Sequence, residues 1–314
     1  MKFTNQFLLI IVVTVGLYGI FLIFSDFNAL SNKILDFKTI YVPIVVGLVT
    51  LSWLPIYIRW ILLLKNLGIH IPIKKNFEIY LAGFALTITP AKVGELIRSQ
   101  LLKANFGVSR TKTAPLVLVE KLYDLGGAII ISISALWIFS EAGYVIIAGA
   151  ILLITLFLII SSKKLFNKLN NFCSKSKFIA KYTLNISDSY DVIRNSLWGK
   201  ITLYSLLLSI SYWLVISLAI YYILLAFSIT DIGYLNTLVT YTASLILGAL
   251  SFIPGGIGVA EGSLVGLFSF QGIATSTAII ISIVIRLLTL WYTVAVGFVA
   301  LKLSGKFRIN NKDS

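Results

Sequence analysis

The sequence has few of the side chains that most often carry catalysis or bind metal ions. Its 314 residues include one cysteine, Cys173, and one histidine, His70. A single cysteine excludes an intrachain disulfide and a multi-cysteine metal site, and His70 lies in a polar loop, where we expect a solvated side chain. No GxSxG elbow, HExxH motif or P-loop occurs in the sequence. We therefore predict no catalytic residue, no metal and no cofactor.

Acidic side chains are also scarce. Asp and Glu number 12 against 26 Lys and Arg, so the formal net charge is +14 at pH 7. Nucleic acid could be a partner for such a charge, but the basic residues lie mainly between apolar runs, as the positive-inside rule and anionic lipid headgroups favour. Hydrophobic residues make up 58% of the chain, above the roughly 45–50% of soluble domains. The composition indicates an all-α, multi-pass protein of the cell membrane that does not bind nucleic acid.

Six apolar segments are long enough for a helix to cross a bilayer, and we predict one integral membrane domain over residues 1–314. Arg59, near the end of the second segment, is expected to extend its side chain to the interface. The polar segment 162–200 is rich in Lys and is expected to be a solvated cytoplasmic loop, with a lipid or partner-enzyme site as the alternative. Both termini are then cytoplasmic. The predicted spans are 7–24, 41–64, 115–139, 144–160, 201–227 and 278–301.

A glycine-rich stretch, residues 251–261, interrupts the apolar region 235–270. Proline lacks an N–H and glycine favours positive φ, so a helix cannot continue through this stretch. In hydrocarbon such a break persists only where protein or a water-filled cavity surrounds it. We predict that a half-helix begins near residue 256 or 257, that its unpaired N–H groups form an anion site, and that Glu261 lies about one turn inside it. The alternative is a helix-packing kink. The helix-breaking residues are Pro254, Gly255, Gly256 and Gly258.

A second break is predicted earlier in the chain. The apolar segment 77–89 is too short for an ordinary crossing, and Thr89 and Pro90 form an N-cap and first-turn pair for a helix over 91–105. Pro90-x-x-x-Gly94 repeats the spacing of Pro254-x-x-x-Gly258. Aligning 107–114 with 272–278, with one residue of gap, then places Lys121 opposite Arg286. The pattern predicts two pseudo-repeats, 41–139 and 201–301, in inverted orientation, each with a re-entrant or broken helical hairpin.

Lys121 and Arg286 lie inside predicted spans. Each would cost roughly 2.5–3.5 kcal/mol in hydrocarbon, so each should face a cavity or a partner. The two cations could bind an anionic headgroup from opposite halves. Alternatively, Asp124 or Glu120 could neutralise Lys121 internally, and an acid from elsewhere in the fold could pair with Arg286.

The half-helix after the first break adds Lys92 and Arg98, which could line a cytoplasmic mouth or extend to the interface. Glu95 could neutralise a neighbouring cation or form an acid pair with Glu261 across the pseudo-symmetric centre. The candidate substrate-binding residues are Lys92, Glu95, Arg98, Lys121, Asp124, Pro254, Gly255, Gly256, Gly258, Glu261 and Arg286.

Three motifs carry a family resemblance: Thr-Pro-Ala-Lys-Val-Gly-Glu at 89–95, Val-Glu-Lys-Leu-Tyr-Asp at 119–124, and Pro-Gly-Gly-Ile-Gly-Val-Ala-Glu at 254–261. They resemble the transmembrane family of lysylphosphatidylglycerol synthases, which includes the flippase domain of the multiple peptide resistance factor. The resemblance implies a flippase-like membrane protein that handles anionic phospholipids or related lipid carriers. Lysyl transfer is not implied, since no aminoacyl-transferase domain follows. Lys121 stands where the family pattern has arginine, which keeps the charge but loses bidentate geometry.

These observations predict a lipid flippase or lipid-binding transporter. An anionic phospholipid or a polyprenyl-phosphate type carrier would place its headgroup in a central cationic cavity, exposed alternately to the two sides, while its acyl chains remain in lipid. One alternative is a non-transporting accessory or scaffold protein that holds a partner enzyme through residues 162–200. The other is a membrane-embedded lipid-phosphate transferase with Glu95 or Glu261 as base.

Overall fold

The computed structural model describes residues 37–89, 94–133, 186–251 and 253–304, together with four isolated helical positions between 151 and 168. The predicted span 7–24 lies outside the described residues, as does nearly all of 144–160. Within the described ranges the structure is all-helical and contains no strand. The prediction of an all-α fold is confirmed.

Ten α-helices make up the described part of the chain. Single 3-10 turns precede α1, follow α2, precede α3 at residues 94–96 and lie between α7 and α8 at Pro254–Gly256, and a π-helical turn joins α9 to α10. The helices are α1 Val42–Asn66, α2 Ile73–Gly83, α3 Ile97–Phe106, α4 Arg110–Ile133, α5 Ile186–Ser196, α6 Lys200–Ala226, α7 Tyr234–Leu250, α8 Val259–Phe270, α9 Thr275–Arg286 and α10 Tyr292–Leu303.

Three described helical segments are long and apolar enough to cross a membrane: Thr39–Asn66, Lys200–Ala226 and Thr275–Leu303. They correspond to the predicted spans 41–64, 201–227 and 278–301. The predicted span 115–139 is represented by α4, which begins five residues earlier, at Arg110, and includes Pro115 within the helix. These helices form a multi-pass membrane domain.

α1 and α6 pack along each other in opposite directions. At one end the Lys38 N–H donates to the Ala226 carbonyl at 2.9 Å. At the other end the Asn66 side-chain amide donates to the Asn195 carbonyl at 3.2 Å, just before α6 begins. The antiparallel pair therefore defines two faces of the domain. The face at the end of α1 is called the basic face, because its exposed charged side chains include Lys65, Lys74, Lys75, Lys103, Arg110, Lys112, Arg194 and Lys200.

Each break lies inside a helical hairpin. Hairpin 1, residues 73–106, starts and ends at the basic face, where Phe106 and the loop after α1 line a common cavity. Hairpin 2, residues 234–270, starts at the opposite face, since α7 begins at Tyr234, only a short connection after α6 ends at Ala226. α7 and α8 pack against each other and so return to that face. The first helices of the two hairpins therefore begin near opposite ends of the α1–α6 pair.

Residues 186–196 form a packed helix, so the prediction of a solvated loop over 162–200 is wrong for this part. α5 lies against α4, and the Tyr123 hydroxyl donates to the Ser196 carbonyl at 2.6 Å. Tyr190, Ile193 and Leu197 are buried. Tyr190 and Ile193 in α5, with Leu197 directly after the helix, form an apolar stripe that packs on the membrane domain. Residues 162–185 lie almost entirely outside the described ranges.

Candidate functional site

The break in hairpin 2 has the backbone that its glycines predict. Gly255, Gly256 and Gly258 have φ of 63°, 66° and 88°, in the left-handed region that side chains disfavour. Space is restricted as well, because a Cβ on Gly256 would lie 3.0 Å from the Gly248 Cα. α8 begins at Val259, two or three residues later than predicted, since the helix cannot begin until these left-handed residues have passed.

Glu261 occupies the N-terminal turn of α8 and is fully buried. One carboxylate oxygen accepts the Gly258 N–H at 2.7 Å, and the other accepts the Arg286 Nε–H at 2.7 Å. A carboxylate at a helix N-terminus offsets the unpaired N–H groups there. The anion that the sequence predicts for this half-helix is thus present as the chain's own carboxylate.

Arg286 joins α9 to both sides of the break. Besides Glu261, its Nη2 donates to the Gly255 carbonyl, a group that the broken helix leaves without an intrahelical partner. Its side chain is 5% exposed. Of the two partners that the sequence left open, a lipid phosphate or an acid from elsewhere in the fold, the structure contains the second.

The break in hairpin 1 begins after the 3-10 turn Phe84–Leu86. The Thr89 hydroxyl accepts the Gly94 N–H at 2.7 Å. Thr89 is not the N-cap of α3, whose N-cap position is Leu96, so the predicted cap for a helix over 91–105 is not present in this form. Residues 94–96 form a 3-10 turn, and α3 begins at Ile97 rather than at the predicted residue 91. Lys92 lies outside the described residues.

Six charged side chains form a connected cluster beside the first break. We call it the charge cluster; it contains three cations and three anions, so its formal charges cancel. This arrangement differs from the predicted cationic cavity, because each of its cations already binds a carboxylate. The members are Arg59, Arg98 and Lys121, with Glu95, Glu120 and Asp124.

Arg98 is the fixed centre of this cluster. Its Nη2 lies 3.1 Å from Glu95 Oε2 and 2.5 Å from Glu120 Oε2. Its guanidinium carbon lies 4.4 Å from the ring centroid of Trp60 and 5.0 Å from that of Tyr80, within the range of cation–π attraction. Aromatic rings and carboxylates together hold this arginine inside the domain, so the prediction of a mouth-lining or interfacial Arg98 is wrong.

Arg59 is also internal, which corrects the prediction that it extends to the membrane interface. It is 1% exposed. Its Nη1 lies 2.6 Å from Asp124 Oδ1 and also donates to the Ser209 hydroxyl on α6. Glu120 Oε1 lies 4.0 Å from its other terminal nitrogen. The two acids on α4 provide an internal partner for Arg59, and the apolar pattern of α1 alone could not reveal it.

Lys121 lies at the exposed edge of the cluster. Its Nζ is 3.0 Å from Glu95 Oε2 on hairpin 1 and 3.8 Å from Asp124 Oδ2 on its own helix. The side chains of Lys121 and Asp124 are 27% and 19% exposed, whereas those of Arg59, Arg98 and Glu120 are each 2% exposed. The internal pairing that the sequence left open for Lys121 is therefore present, at the part of the cluster that is most open.

The two halves share one arrangement. In each, an acid that follows the break pairs with a cation on the helix after the hairpin: Glu95 with Lys121 at 3.0 Å, and Glu261 with Arg286 at 2.7 Å. The partners are 26 and 25 residues apart in the chain. The alignment that placed Lys121 opposite Arg286 thus identified two residues with the same kind of partner.

The two breaks also meet. A Cβ on Gly255 would lie 3.1 Å from Ile88 Cγ1, and the Cα of Gly297 in α10 approaches the backbone of Phe84 and Ala85 too closely for any side chain. Within the described ranges, no group of three His, Cys, Asp or Glu side chains is placed to hold a metal ion. The site is an internal meeting point of two helix breaks. Each break has an acid–cation pair beside it: Glu261–Arg286 is buried, and Glu95–Lys121 lies at the exposed edge of the charge cluster.

Such a fold, with apolar spanning helices, two broken hairpins and buried charges, defines a multi-pass membrane protein with a polar interior. Residues 8–297 match the family of the lysylphosphatidylglycerol synthase TM region, and the chain belongs to this family. The resemblance found in the three motifs is therefore confirmed.

Relatives among archaeal membrane proteins cover much of the same length. The UPF0104 membrane protein MJ1078 of Methanocaldococcus jannaschii is 27% identical over 222 residues, which is 68% of this chain and 91% of the relative. The UPF0104 membrane protein PH1989 of Pyrococcus horikoshii is 24% identical over 268 residues, 76% of this chain and 80% of the relative. No solved structure matches the chain.

Proposed function

We propose that this protein is a lipid flippase or lipid-binding transporter for an anionic phospholipid or a lipid-phosphate carrier. The observation that carries the proposal is the meeting of two helix breaks inside the domain, each accompanied by an acid–cation pair, one buried and one at the exposed edge of the charge cluster. Broken helices at membrane depth are stable only where protein or water surrounds them. In transporters, paired breaks of this kind mark the substrate site, and membership of a family named for lipid synthases supports a lipid as substrate.

The packing of the helices supports an inverted repeat. α1 and α6 lie side by side, α2 packs against α10, and α7 packs against α4. Each hairpin therefore contacts the last helix of the other half, the reciprocal pattern that a twofold relation between 41–139 and 201–301 requires. Hairpins that enter from opposite faces are suited to alternating access. The positive-inside rule would place the basic face in the cytoplasm.

The exposed edge of the charge cluster is where a headgroup phosphate would enter. Lys121 would leave Glu95 and bind the phosphate, and Glu95 would still have Arg98 at 3.1 Å. Removing one partner of an isolated buried ion pair is strongly destabilising, but here every charge retains an opposite charge during the exchange. The closed, neutral arrangement and the lipid-bound arrangement can then be close in free energy, as a transport cycle requires.

Transport by purified protein in lipid vesicles tests the proposal. We expect a headgroup-labelled phosphatidylglycerol to cross between leaflets faster than in protein-free vesicles, and a labelled phosphatidylcholine to cross more slowly than phosphatidylglycerol. Lys121→Gln should slow the crossing, whereas Lys200→Gln, at an exposed lysine outside the cluster, should leave it unchanged. If the purified protein binds phosphatidylglycerol but does not accelerate its crossing between leaflets, it is a lipid-binding or accessory protein instead.

A further inference from the structure

A cavity of about 480 Å³ lies at the basic face, apart from the charge cluster. Its walls come from the loop between α1 and α2 and the loop between α3 and α4, the two segments from which hairpin 1 starts and to which it returns. α1 is long enough to cross the membrane and ends at Asn66, so the loop that follows it lies at the membrane–water boundary.

The lining of the cavity is amphipathic. Ile69, Ile71, Phe106 and Val108 are partly buried and pack against the core, while Ser109 and Lys112 are exposed. α1 and α3 each end near a left-handed glycine at the cavity, Gly68 and Gly107, and an added Cβ on either would meet no atom within 4 Å. The cavity thus has an apolar wall, an accessible backbone and a cationic rim.

The charge around the cavity is of one sign. Residues 65–75 and 103–112 each contain three Lys or Arg residues and no acid. The next acid along the chain, Glu78, already binds Lys75 at 2.7 Å. This surrounding charge favours an anion, and the apolar wall favours one that carries a hydrocarbon part over a fully hydrated ion.

We propose that this cavity binds the headgroup of an anionic phospholipid from the adjacent leaflet, as a site separate from the charge cluster. The bound lipid would hold together the two loops that anchor hairpin 1. Because hairpin 1 carries Glu95, the partner of Lys121 at 3.0 Å, occupancy would stabilise the closed charge cluster. The binding does not depend on the proposed transport; only this effect on the transport site rests on the proposed function.

Hydrogen–deuterium exchange of the full chain in nanodiscs tests the site. Nanodiscs of phosphatidylcholine alone are compared with nanodiscs that contain increasing phosphatidylglycerol. We expect phosphatidylglycerol to slow exchange at residues 67–72 and 106–109. Lys112→Gln should raise the phosphatidylglycerol content needed for half-protection about fivefold, the equivalent of the ~1 kcal/mol that one lysine contributes near an anionic surface. Val108→Trp, which places a bulky ring in the cavity and narrows it, should likewise raise the phosphatidylglycerol content needed for half-protection.

Lys200→Gln is the matched control, because Lys200 is exposed at the same face but does not line the cavity. For Lys200→Gln, the phosphatidylglycerol content needed for half-protection should change less than twofold. A loss equal to that of Lys112→Gln would overturn the proposal, since a diffuse surface charge would then account for the protection. Equal protection by inorganic phosphate in phosphatidylcholine nanodiscs would also overturn it, by identifying a free-anion site. So would exchange rates that do not respond to phosphatidylglycerol.

Discussion

Replacement of Arg286 by glutamine removes the only charged partner that the described residues provide for Glu261. The carboxylate of Glu261 is fully buried and would keep only the Gly258 N–H, while the Gly255 carbonyl would lose its donor. Breaking a buried pair by removing one partner costs about 3–5 kcal/mol, because the remaining charge is uncompensated. We therefore expect Arg286→Gln to lower the free energy of unfolding by about that amount.

The double variant Arg286→Gln with Glu261→Gln should recover most of this loss, because neither charge remains and the amides can still form hydrogen bonds at the break. Arg110→Gln controls for the loss of an arginine as such: Arg110 is exposed on α4, and its replacement should change stability by less than about 0.5 kcal/mol. The free energy of unfolding is measured for all four proteins in mixed micelles.

If Arg286→Gln alone is as stable as the wild type, the buried Arg286–Glu261 pair does not stabilise the fold and the reasoning is refuted. Lipid affinity measured on the same proteins shows whether Arg286 also binds the lipid phosphate in addition to stabilising the fold. If the double variant regains stability and binds phosphatidylglycerol as the wild type does, Arg286 is structural and does not bind the phosphate. If stability returns but lipid affinity does not, Arg286 serves both the fold and the substrate.

Three further predictions concern the break, the cluster and the topology. The Gly256→Leu protein should insert into the membrane but fail to transport, because Gly256 has a φ of +66° and Gly248 leaves no space for a side chain. Gly262→Leu is the control and should transport normally, because a Cβ at that position would meet no atom within 4 Å. Normal transport by Gly256→Leu would show that the break is only a packing feature. Arg98→Gln should lower the free energy of unfolding by about 3–5 kcal/mol, and Lys121→Gln should lower it by less than half of that, since the side chain of Arg98 is 2% exposed and that of Lys121 is 27% exposed. Equal losses for the two variants would contradict this ranking. In a Cys173→Ser background, impermeant reagents applied to intact cells should label a cysteine at 231 but not one at 112, and the reverse labelling would invert the predicted orientation.

Much of the helical framework could be predicted from the sequence. Long apolar runs predict α1, α6 and the α9–α10 span because a crossing helix needs about 20 apolar residues. The break at Pro254–Gly258 was equally predictable, since positive φ and a missing N–H are properties of the residue types themselves.

The partners of the buried charges could be predicted only in part. Lys121 and Arg286 were identified because each lies within an apolar run, but Arg59 was not, because it stands near the end of a span where arginine commonly reaches the interface. One signal was available: Glu120 and Asp124 lie one helical turn apart, and two acids on one face of a membrane helix require cations from elsewhere. Which cation lies opposite them depends on how α1 and α4 pack, and the sequence pattern does not contain that information.

The helix α5 was missed for a different reason. Its segment is rich in basic and polar residues, so composition indicates a solvated loop. The apolar residues Tyr190, Ile193 and Leu197 nonetheless fall on one helical face, and that spacing was the available signal. Tertiary packing on α4 buries this face and stabilises the helix.

The most direct test of the account compares lipid affinity in Glu95→Gln and Lys121→Gln. If a headgroup phosphate displaces Glu95 from Lys121, removing the acid removes a competitor, and removing the lysine removes the binding group. We therefore predict that Glu95→Gln binds phosphatidylglycerol more tightly than the wild type, while Lys121→Gln binds it more weakly, with phosphatidylcholine affinity unchanged in both. Affinity changes in the same direction for both variants would show that the Glu95–Lys121 pair only stabilises the fold. That result would contradict the proposal that Lys121 leaves Glu95 to bind the lipid phosphate.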